Sequence, residues 1–311
     1  MAQTLQELEI VVVDNSGAGR VRKMLPGDVK ISIIEMPNNV GFGAALNAVF
    51  AQSRAPYLAT LNDDAVATPE WLEHLVGAMA SDPKLGSCAS AVQLKGQNVI
   101  DSAGMLIASD GSSKQRGHGE PTSTMRENAP ALMPSGSAAI YRREMFAETG
   151  GFDNSFFLYC EDSDLGLRAR WAGWDCQYVA AAVVEHHYSH SAGKASGMKA
   201  YLVERNRLRL IIKNFPMREL LLAPLGTLAR YYWHATGMLR GVGKASEFRK
   251  EGNSALVLVG IALRAHRALI PELPRLWLER RQIRRAARIS VGQFRSLMRC
   301  NSISLRGVAE Q

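Results

Sequence analysis

Apolar residues in the first half of the chain fall in short continuous runs. Glu9-Ile-Val-Val-Val-Asp14 ends in a carboxylate and gives way to Asn15-Ser16-Gly17, and Ile31 to Glu35 and Tyr57 to Leu61 repeat the pattern. Such a run bounded by turn residues predicts a strand covered on both faces. Between the second and third runs, Gly43 to Ser53 offers Ala44, Ala45, Ala48 and Val49 for helix packing. Strands alternating with helices predict an α/β sheet, mostly parallel and flanked by helices.

Thr68-Pro69-Glu70-Trp71 predicts a helix start, with Thr68 as N-cap and Pro69 in the first turn. Asn62-Asp63-Asp64 then lies on a loop between a strand's C-terminal end and a helix's N-terminal end, the edge where open α/β sheets bind ligands. Residues 97–128, rich in Gly, Ser and charge, read as a partly ordered loop region. A strand resumes over Ser135 to Tyr141. A helix follows from Arg142 to Thr149, closed by Gly150-Gly151, then a helix over Glu161 to Ala172 and a strand over Gln177 to Val184. Past Phe215-Pro216 the pattern is helical with basic and aromatic residues. It divides an α/β unit, residues 1–215, from a basic helical extension, residues 216–311.

Charge sharpens that boundary. Residues 216–311 hold 17 Lys/Arg against 6 Asp/Glu, whereas residues 1–215 hold 20 against 23. A mildly acidic body with a basic tail points to an anionic partner for the tail. Trp277, Leu278, Ile283 and Ile289 among Arg275, Arg280, Arg281, Arg284, Arg285 and Arg288 predict a helix with a basic face beside an apolar one, suited to an anionic membrane surface. No motif or aromatic-basic platform supports a nucleic-acid partner. The longest clean apolar run, Ala255 to Leu263, is nine residues, against about 20 for a bilayer span. Met1 to Glu9 is polar and acidic, unlike a secretory leader. Cys88, Cys160, Cys176 and Cys300 form neither a C-x-x-C pair nor a metal cluster. The expected setting is the cytoplasm, peripheral on the inner face of the plasma membrane.

Carboxylates define the candidate chemistry. Asp14 reads either as a turn former after a strand or as a ligand-binding acid. Asp63 and Asp64 are either turn residues or, as adjacent like charges at the ligand edge, a site for a hard divalent cation. Glu161-Asp162-Ser163-Asp164 crowds three acids into a helix start. They complement the helix dipole, with Asp164 pairing to Arg168 at i, i+4, or they furnish a general base behind the apolar approach Phe156-Phe157-Leu158-Tyr159. His186, His187 and His190 follow directly on a strand, and one of them is expected to ligate a metal beside the acids.

Taken in order, IVVVDNS (10–16), NNVGFGAALN (38–47), LNDDAVATPEWL (61–72), SGSAAIYRR (135–143), GGFDNSFFLYCEDSDLGLRARWAG (150–173), the stretch His186–Gly193 and Arg205-Asn206 resemble glycosyltransferase family 2, specifically its rhamnosyltransferase-like bacterial members. The resemblance spans residues 9–215. It implies a GT-A fold and an inverting transfer from a nucleotide-diphosphate sugar, rhamnose by subfamily likeness, to a lipid-linked or polysaccharide acceptor in cell-envelope glycan synthesis. It implies Asp162 as the catalytic base with Glu161 beside it, and Asp64 and His186 as ligands of Mg2+ or Mn2+. Asp14, Asn15, Asn39, Gly41, Asn47, Asn62, Asp63 and Arg205 fall at donor-binding positions. Asn62 stands where the family's D-x-D pattern has its first acid, so coordination rests on Asp64, with Asp63 beside it. The family's first strand and helix have no counterpart before Ile10, so an N-terminally truncated domain is expected. Two rivals are a catalytically impaired relative acting as a membrane-associated binding protein and a metal-dependent sugar nucleotidyltransferase. The latter wants a Gly-rich, lysine-containing phosphate loop that the sequence does not show.

Overall fold

The computed structural model describes residues 3–24, 31–187, 196–250 and 254–311. Strands β1 (Val11–Asp14) and β2 (Ser32–Glu35) flank the short helix α1 (Arg20–Met24), and α2 (Phe42–Gln52) leads into β3 (Tyr57–Leu61), β4 (Ala65–Ala67) and α3 (Trp71–Ser81). Next come β5 (Leu85–Leu94) and four short strands, β6 (Ile100–Ser102), β7 (Met105–Ile107), β8 (Ser113–Gln115) and β9 (Ala129–Pro130). β10 (Ala138–Arg142), α4 (Arg143–Thr149), α5 (Glu161–Trp171) and β11 (Asp175–His186) complete the α/β part. The remainder is helical: α6 (Gly197–Asn214), α7 (Met217–Arg240), α8 (Lys244–Lys250), α9 (Ala255–Leu269), α10 (Leu273–Arg285), α11 (Val291–Cys300) and α12 (Leu305–Glu310).

The expected α/β class stands, but the sheet is mixed rather than mostly parallel. Its order is β3-β10-β5-β11-β4. β10 is antiparallel to β3 and β5, β4 is antiparallel to β11, and β5 and β11 are parallel. β1 and β2 pair in parallel with each other and, among the described residues, with no further strand. Val11 to Val13 are therefore only half-buried, where their unbroken apolar run predicts cover on both faces. Helix α3 starts at Trp71 without a side-chain cap, because the Thr68 hydroxyl donates instead to the Val183 carbonyl at 3.3 Å.

Residues 97–128 are not a loose region. They hold β6, β7 and β8, and Ile100 to Met105 are buried. The small residues there serve close packing: Gly104, at φ +96°, lies where a Cβ would stand 3.2 Å from the Met133 carbonyl oxygen.

Trp71, Leu75 and Met79 of α3 pack on one face of the main sheet, and Phe146, Phe152 and Leu165 with α2 pack on the other. A third cluster, with Trp171, Leu210, Phe215, Ala223 and Phe294, joins α5 and α6 to α7 and α11. The helices after residue 216 thus share a core with the α/β part. Helix α10 turns part of the expected basic membrane face inward, while Trp277, Leu278, Arg281 and Arg285 stay exposed. Ile283 and Ile289 pack on that third cluster. Arg280 donates to the Ile212 and Phe215 carbonyls at 2.9 and 2.6 Å, and Arg284 to the Asn214 carbonyl at 2.7 Å. The C-terminal end of α6 leaves those carbonyls without helical partners and carries the negative end of its dipole, so buried cations are favourable there. Arg275 pairs with Glu272 and Glu279, and Arg288 with Glu148. Among the described residues no helix is long and apolar enough to cross a membrane.

Candidate active site

Two of the acidic stretches converge on one segment, Ser135-Gly136-Ser137. The Asn62 N–H donates to the Ser137 carbonyl at 2.9 Å, and the Thr60 hydroxyl to the Gly136 carbonyl at 3.0 Å. The Gly136 N–H in turn donates to Asp162 Oδ2 at 3.0 Å. The loop leaving β3, with Asn62, exposed Asp63 and half-buried Asp64, is thereby fixed close to the first turn of α5.

Asp64 meets His186 at the end of β11, Oδ1 to Nε2 at 3.1 Å. The β4–β11 register, with Ala65 opposite His186, delivers the imidazole. His186 Nδ1 lies 2.8 Å from Oδ2 of buried Asp101, and that bond raises the His186 pKa above its ordinary value. His118 Nδ1 extends the chain, 3.1 Å from the Asp101 carbonyl oxygen and 3.2 Å from Oδ1. The sequence reading missed Asp101, which lies on β6 inside the stretch read as loop. A histidine oriented by a carboxylate on its second nitrogen is the usual arrangement of a metal ligand. No group of three His, Cys, Asp or Glu able to hold a metal occurs among the described residues. Asp64 and His186 are the residues here that could contribute to holding a divalent cation. His190 lies outside the described residues.

The three acids of α5 divide by environment. Burial, with the charge of Asp162, pushes Glu161 up to about 8, and among the described residues its Oε2 has no hydrogen-bond partner. Burial also raises Asp162, against bonds from Gly136 N–H and from the Ser163 N–H at 2.6 Å. Two neighbouring acids above the ordinary carboxylate range are suited to proton transfer. Asp164 is equally buried, and burial alone would raise it; Arg168 and Lys213 more than offset that and keep it below its ordinary value. Its ties to Arg168 at 2.8 Å and Lys213 at 3.0 Å give it a structural role.

Before α5 the backbone takes three left-handed turns at residues other than glycine: Phe157, Tyr159 and Cys160, with φ of 65°, 70° and 66°. Such conformations cost of order 1–3 kcal/mol each and persist only where the surroundings enforce them. Here fully buried Asn206 of α6 does so, its Nδ2 reaching the carbonyls of Phe156, Leu158 and Tyr159 at 2.9, 2.8 and 2.8 Å. Arg205 adds a bond to the Phe156 carbonyl at 3.0 Å. From the other side Phe42 N–H donates to the Phe157 carbonyl at 2.8 Å, and a Cβ on Gly41 would stand 2.2 Å from that oxygen. Asn206→Ala is expected to lower kcat by about 10- to 100-fold through misplacement of Glu161 and Asp162 and to lower the melting temperature, because buried carbonyls lose their donor, with donor affinity little changed. Steady-state kinetics beside a donor titration check it, and a matching loss of donor affinity would assign Asn206 to binding instead.

The positions expected to bind the donor form a second network. Asn15 Nδ2 bonds Asn39 Oδ1 at 3.1 Å and the Gly41 carbonyl at 3.2 Å, and Asn15 Oδ1 accepts from Val40 N–H at 2.9 Å. Asp14 is enclosed by its own loop. Its oxygens accept from Ser16 and from Val21 N–H, and those bonds, the Ser16 hydroxyl first, lower its pKa to about 2. Asn47 stands apart, its amide taken up by both backbone groups of Phe152 and by Asn154 Oδ1.

Residues 1–150 match the family described as Glycosyl transferase family 2. The chain is 27% identical over 215 residues to the N-acetylglucosaminyl-diphospho-decaprenol L-rhamnosyltransferase of Mycobacterium tuberculosis (strain CDC 1551 / Oshkosh), covering 61% of this chain and 70% of that protein. Among solved structures it resembles GalNAc-T7 with UDP, GalNAc and Mn2+ at a TM-score of 0.53 and 14% identity, over 67% of this chain and 43% of that one. The chain thus spans less than half the length of that neighbour. It also resembles mannosyltransferase PcManGT from Pyrobaculum calidifontis in complex with GDP-Man and Mn2+, at 0.50 and 16%, over 92% and 79% of the two chains. At such identities the two structures speak to fold alone.

Proposed function

We propose that this chain, whose residues 1–150 belong to glycosyltransferase family 2, transfers a sugar with inversion from a nucleotide-diphosphate donor to a lipid-linked or polysaccharide acceptor of the cell envelope. Residues 1–215 would form the catalytic unit and residues 216–311 its helical extension, working at the cytoplasmic membrane face. The observation that carries the reading is the pair Glu161 and Asp162, held above the ordinary carboxylate range and tied through Gly136 to the loop of Asp64. Rhamnose as the sugar and a diphospho-polyprenol acceptor are supported by the relative's name.

In this reading Asp162 accepts the proton of the acceptor hydroxyl while that oxygen attacks the anomeric carbon, and the bond to the diphosphate breaks on the opposite face. Burial keeps the base's proton affinity high, and the charge of Asp162 in turn helps to hold Glu161 protonated beside it. Asp64 and His186 would hold Mg2+ or Mn2+, whose charge offsets that building on the departing diphosphate. Asn15, Asn39, Gly41, Asn62 and Asp63 would line the donor, Asp14 would shape its own loop from behind them, and Arg205 braces the loop before α5. A purely scaffolding role gives no reason to bury the unbonded Glu161 Oε2.

The test is transfer from deoxythymidine-diphosphate rhamnose to a short-chain polyprenyl-diphospho-N-acetylglucosamine. The expected product gains one deoxyhexose with inverted anomeric configuration, and chelation of divalent cations abolishes its formation. Calorimetric titration with nucleoside diphosphate should show affinity that depends strongly on Mg2+ or Mn2+. Equal affinity with and without cation would remove Asp64 and His186 from a metal role, and no transfer from any nucleotide sugar would overturn the reading as a whole.

A further inference from the structure

The solvent sides of α7 and α9 are apolar. On α7, Leu221, Leu225 and Leu228 recur at i, i+4 and i+7 and are 64 to 71% exposed, and the row continues through Tyr232 to Leu239. On α9, Leu256, Val259 and Leu263 recur at i, i+3 and i+7 and are 55 to 81% exposed. Rows of exposed leucine are unfavourable in water and mark contact with something apolar.

Charge decides what that is. Helix α9 contains no Asp or Glu, and α7 contains one, Glu219, which Arg295 holds at 2.8 and 3.1 Å. Exposed arginines border the rows: Arg218 and Arg240 at the two ends of α7, and Arg264 and Arg267 in the second half of α9. A second copy of the chain would set these arginines against their own counterparts with no carboxylate on either row to neutralise them. An anionic bilayer meets both requirements, because acyl chains take the leucines and headgroup phosphates take the arginines. At 24 residues, α7 is about 36 Å long. With arginine at both ends and tyrosine in the row, it suits a helix lying in the interface plane.

We propose that α7 and α9 are the surface by which the protein docks on an anionic lipid bilayer. The assignment rests on the proposed function for its purpose, bringing the site to a lipid-linked acceptor. Helix α9 lies along α6, with Ile261 against Gly197 and Arg264 over the Tyr201 ring at 4.6 Å. Helix α6 also carries Arg205 and Asn206, which brace the loop before Glu161 and Asp162. One rigid helix thus joins the docking surface to the acid pair and fixes the pair's position relative to the headgroups.

Flotation with phosphatidylcholine vesicles, with and without phosphatidylglycerol, tests the surface. The full chain is expected to float with the anionic vesicles and to be released by salt. The variants Leu221→Glu/Leu225→Glu/Leu228→Glu and Leu256→Glu/Val259→Glu/Leu263→Glu should each bind at least about 100-fold more weakly. Melting temperature and nucleoside-diphosphate binding confirm that each variant is folded. A third variant, Arg218→Gln/Arg240→Gln/Arg264→Gln/Arg267→Gln, keeps the apolar rows and should lose the preference for phosphatidylglycerol. Absence of flotation, equal flotation on neutral vesicles, or undiminished flotation of both glutamate variants would overturn the proposal. So would a dimer in sedimentation that the glutamate variants dissociate while the parent chain ignores vesicles. Transfer to a water-soluble acceptor separates the two readings: transfer without flotation counts against the surface alone, and flotation without transfer counts against the transferase reading alone.

Discussion

Asp162→Asn is expected to lower turnover by about 10²–10⁴-fold, the range for loss of a positioned general base, while donor affinity stays near its parent value. The amide is nearly the same size, and its single oxygen can still accept from one of the Gly136 and Ser163 N–H groups, which the native carboxylate holds on separate oxygens. It cannot accept the acceptor's proton. Single-turnover measurement at saturating donor reads the chemical step directly. Retention of near-normal turnover would move the base elsewhere, with Glu161 the first candidate.

The pH profile offers a second reading of the same pair. A base works deprotonated, so turnover should fall as pH drops through the pair's apparent values, which lie above the ordinary carboxylate range because both acids are buried beside each other. Burial raises Asp162, whereas Glu161 is raised by burial and by the charge of Asp162. Glu161→Gln should therefore leave the acidic limb in place, and Asp162→Asn should let Glu161 ionise at lower pH. An acidic limb in the ordinary carboxylate range in the parent enzyme would mean that the pair is not ionising during turnover.

The sequence anticipates these acids because the signals that set them are local. Tyr57–Leu61, bounded by Pro56 and Asn62, forms the expected strand, and Gly150 takes the left-handed conformation, at φ 79°, that closes α4. Asp164 pairs with Arg168 one turn away, as their spacing requires. What the sequence does not disclose is long-range. An apolar run predicts a strand but not its direction, and β10 enters antiparallel between β3 and β5. Asp101 and Asn206 sit 85 and 48 residues from the groups they hold, His186 and Leu158. Neither position carries a periodic or turn signal of its own.

Helix α10 shows the same limit from another side. Its spacing reports which positions are apolar and which are basic, but not which face meets protein. Unpaired carbonyls at the end of α6 draw Arg280 and Arg284 inward, while the longer exposed apolar rows lie on α7 and α9. A pattern of basic and apolar residues suits a membrane interface and a helix terminus equally well, so only the position of the partner carbonyls separates the two outcomes.

Asp164→Ala is expected to destabilise the fold by about 3–5 kcal/mol, the range for breaking a buried ion pair from one side. The fully buried carboxylate accepts from Arg168, Lys213 and Asn214 at 2.8, 3.0 and 2.8 Å and ties α5 to α6. Its removal leaves two cations with fewer partners inside the protein. Denaturant unfolding of parent and variant at neutral pH measures the loss, and a difference below about 1 kcal/mol would show that Asp153 and water compensate. The pH dependence carries a definite sign. Asp164 and Asp153 are both held below their ordinary values, by Arg168 and Lys213 and by Lys213, respectively, against the effect of burial. Their contribution is therefore fully present above the ordinary carboxylate value and is lost as pH falls through the depressed folded values. Glu161 and Asp162 act in the opposite sense, because a raised carboxylate destabilises the fold as pH rises and the pair is forced to ionise. Stability of the parent should consequently decline on both sides of a mildly acidic maximum. In Asp164→Ala the acid-side decline should be shallower, while the alkaline side stays parallel to the parent.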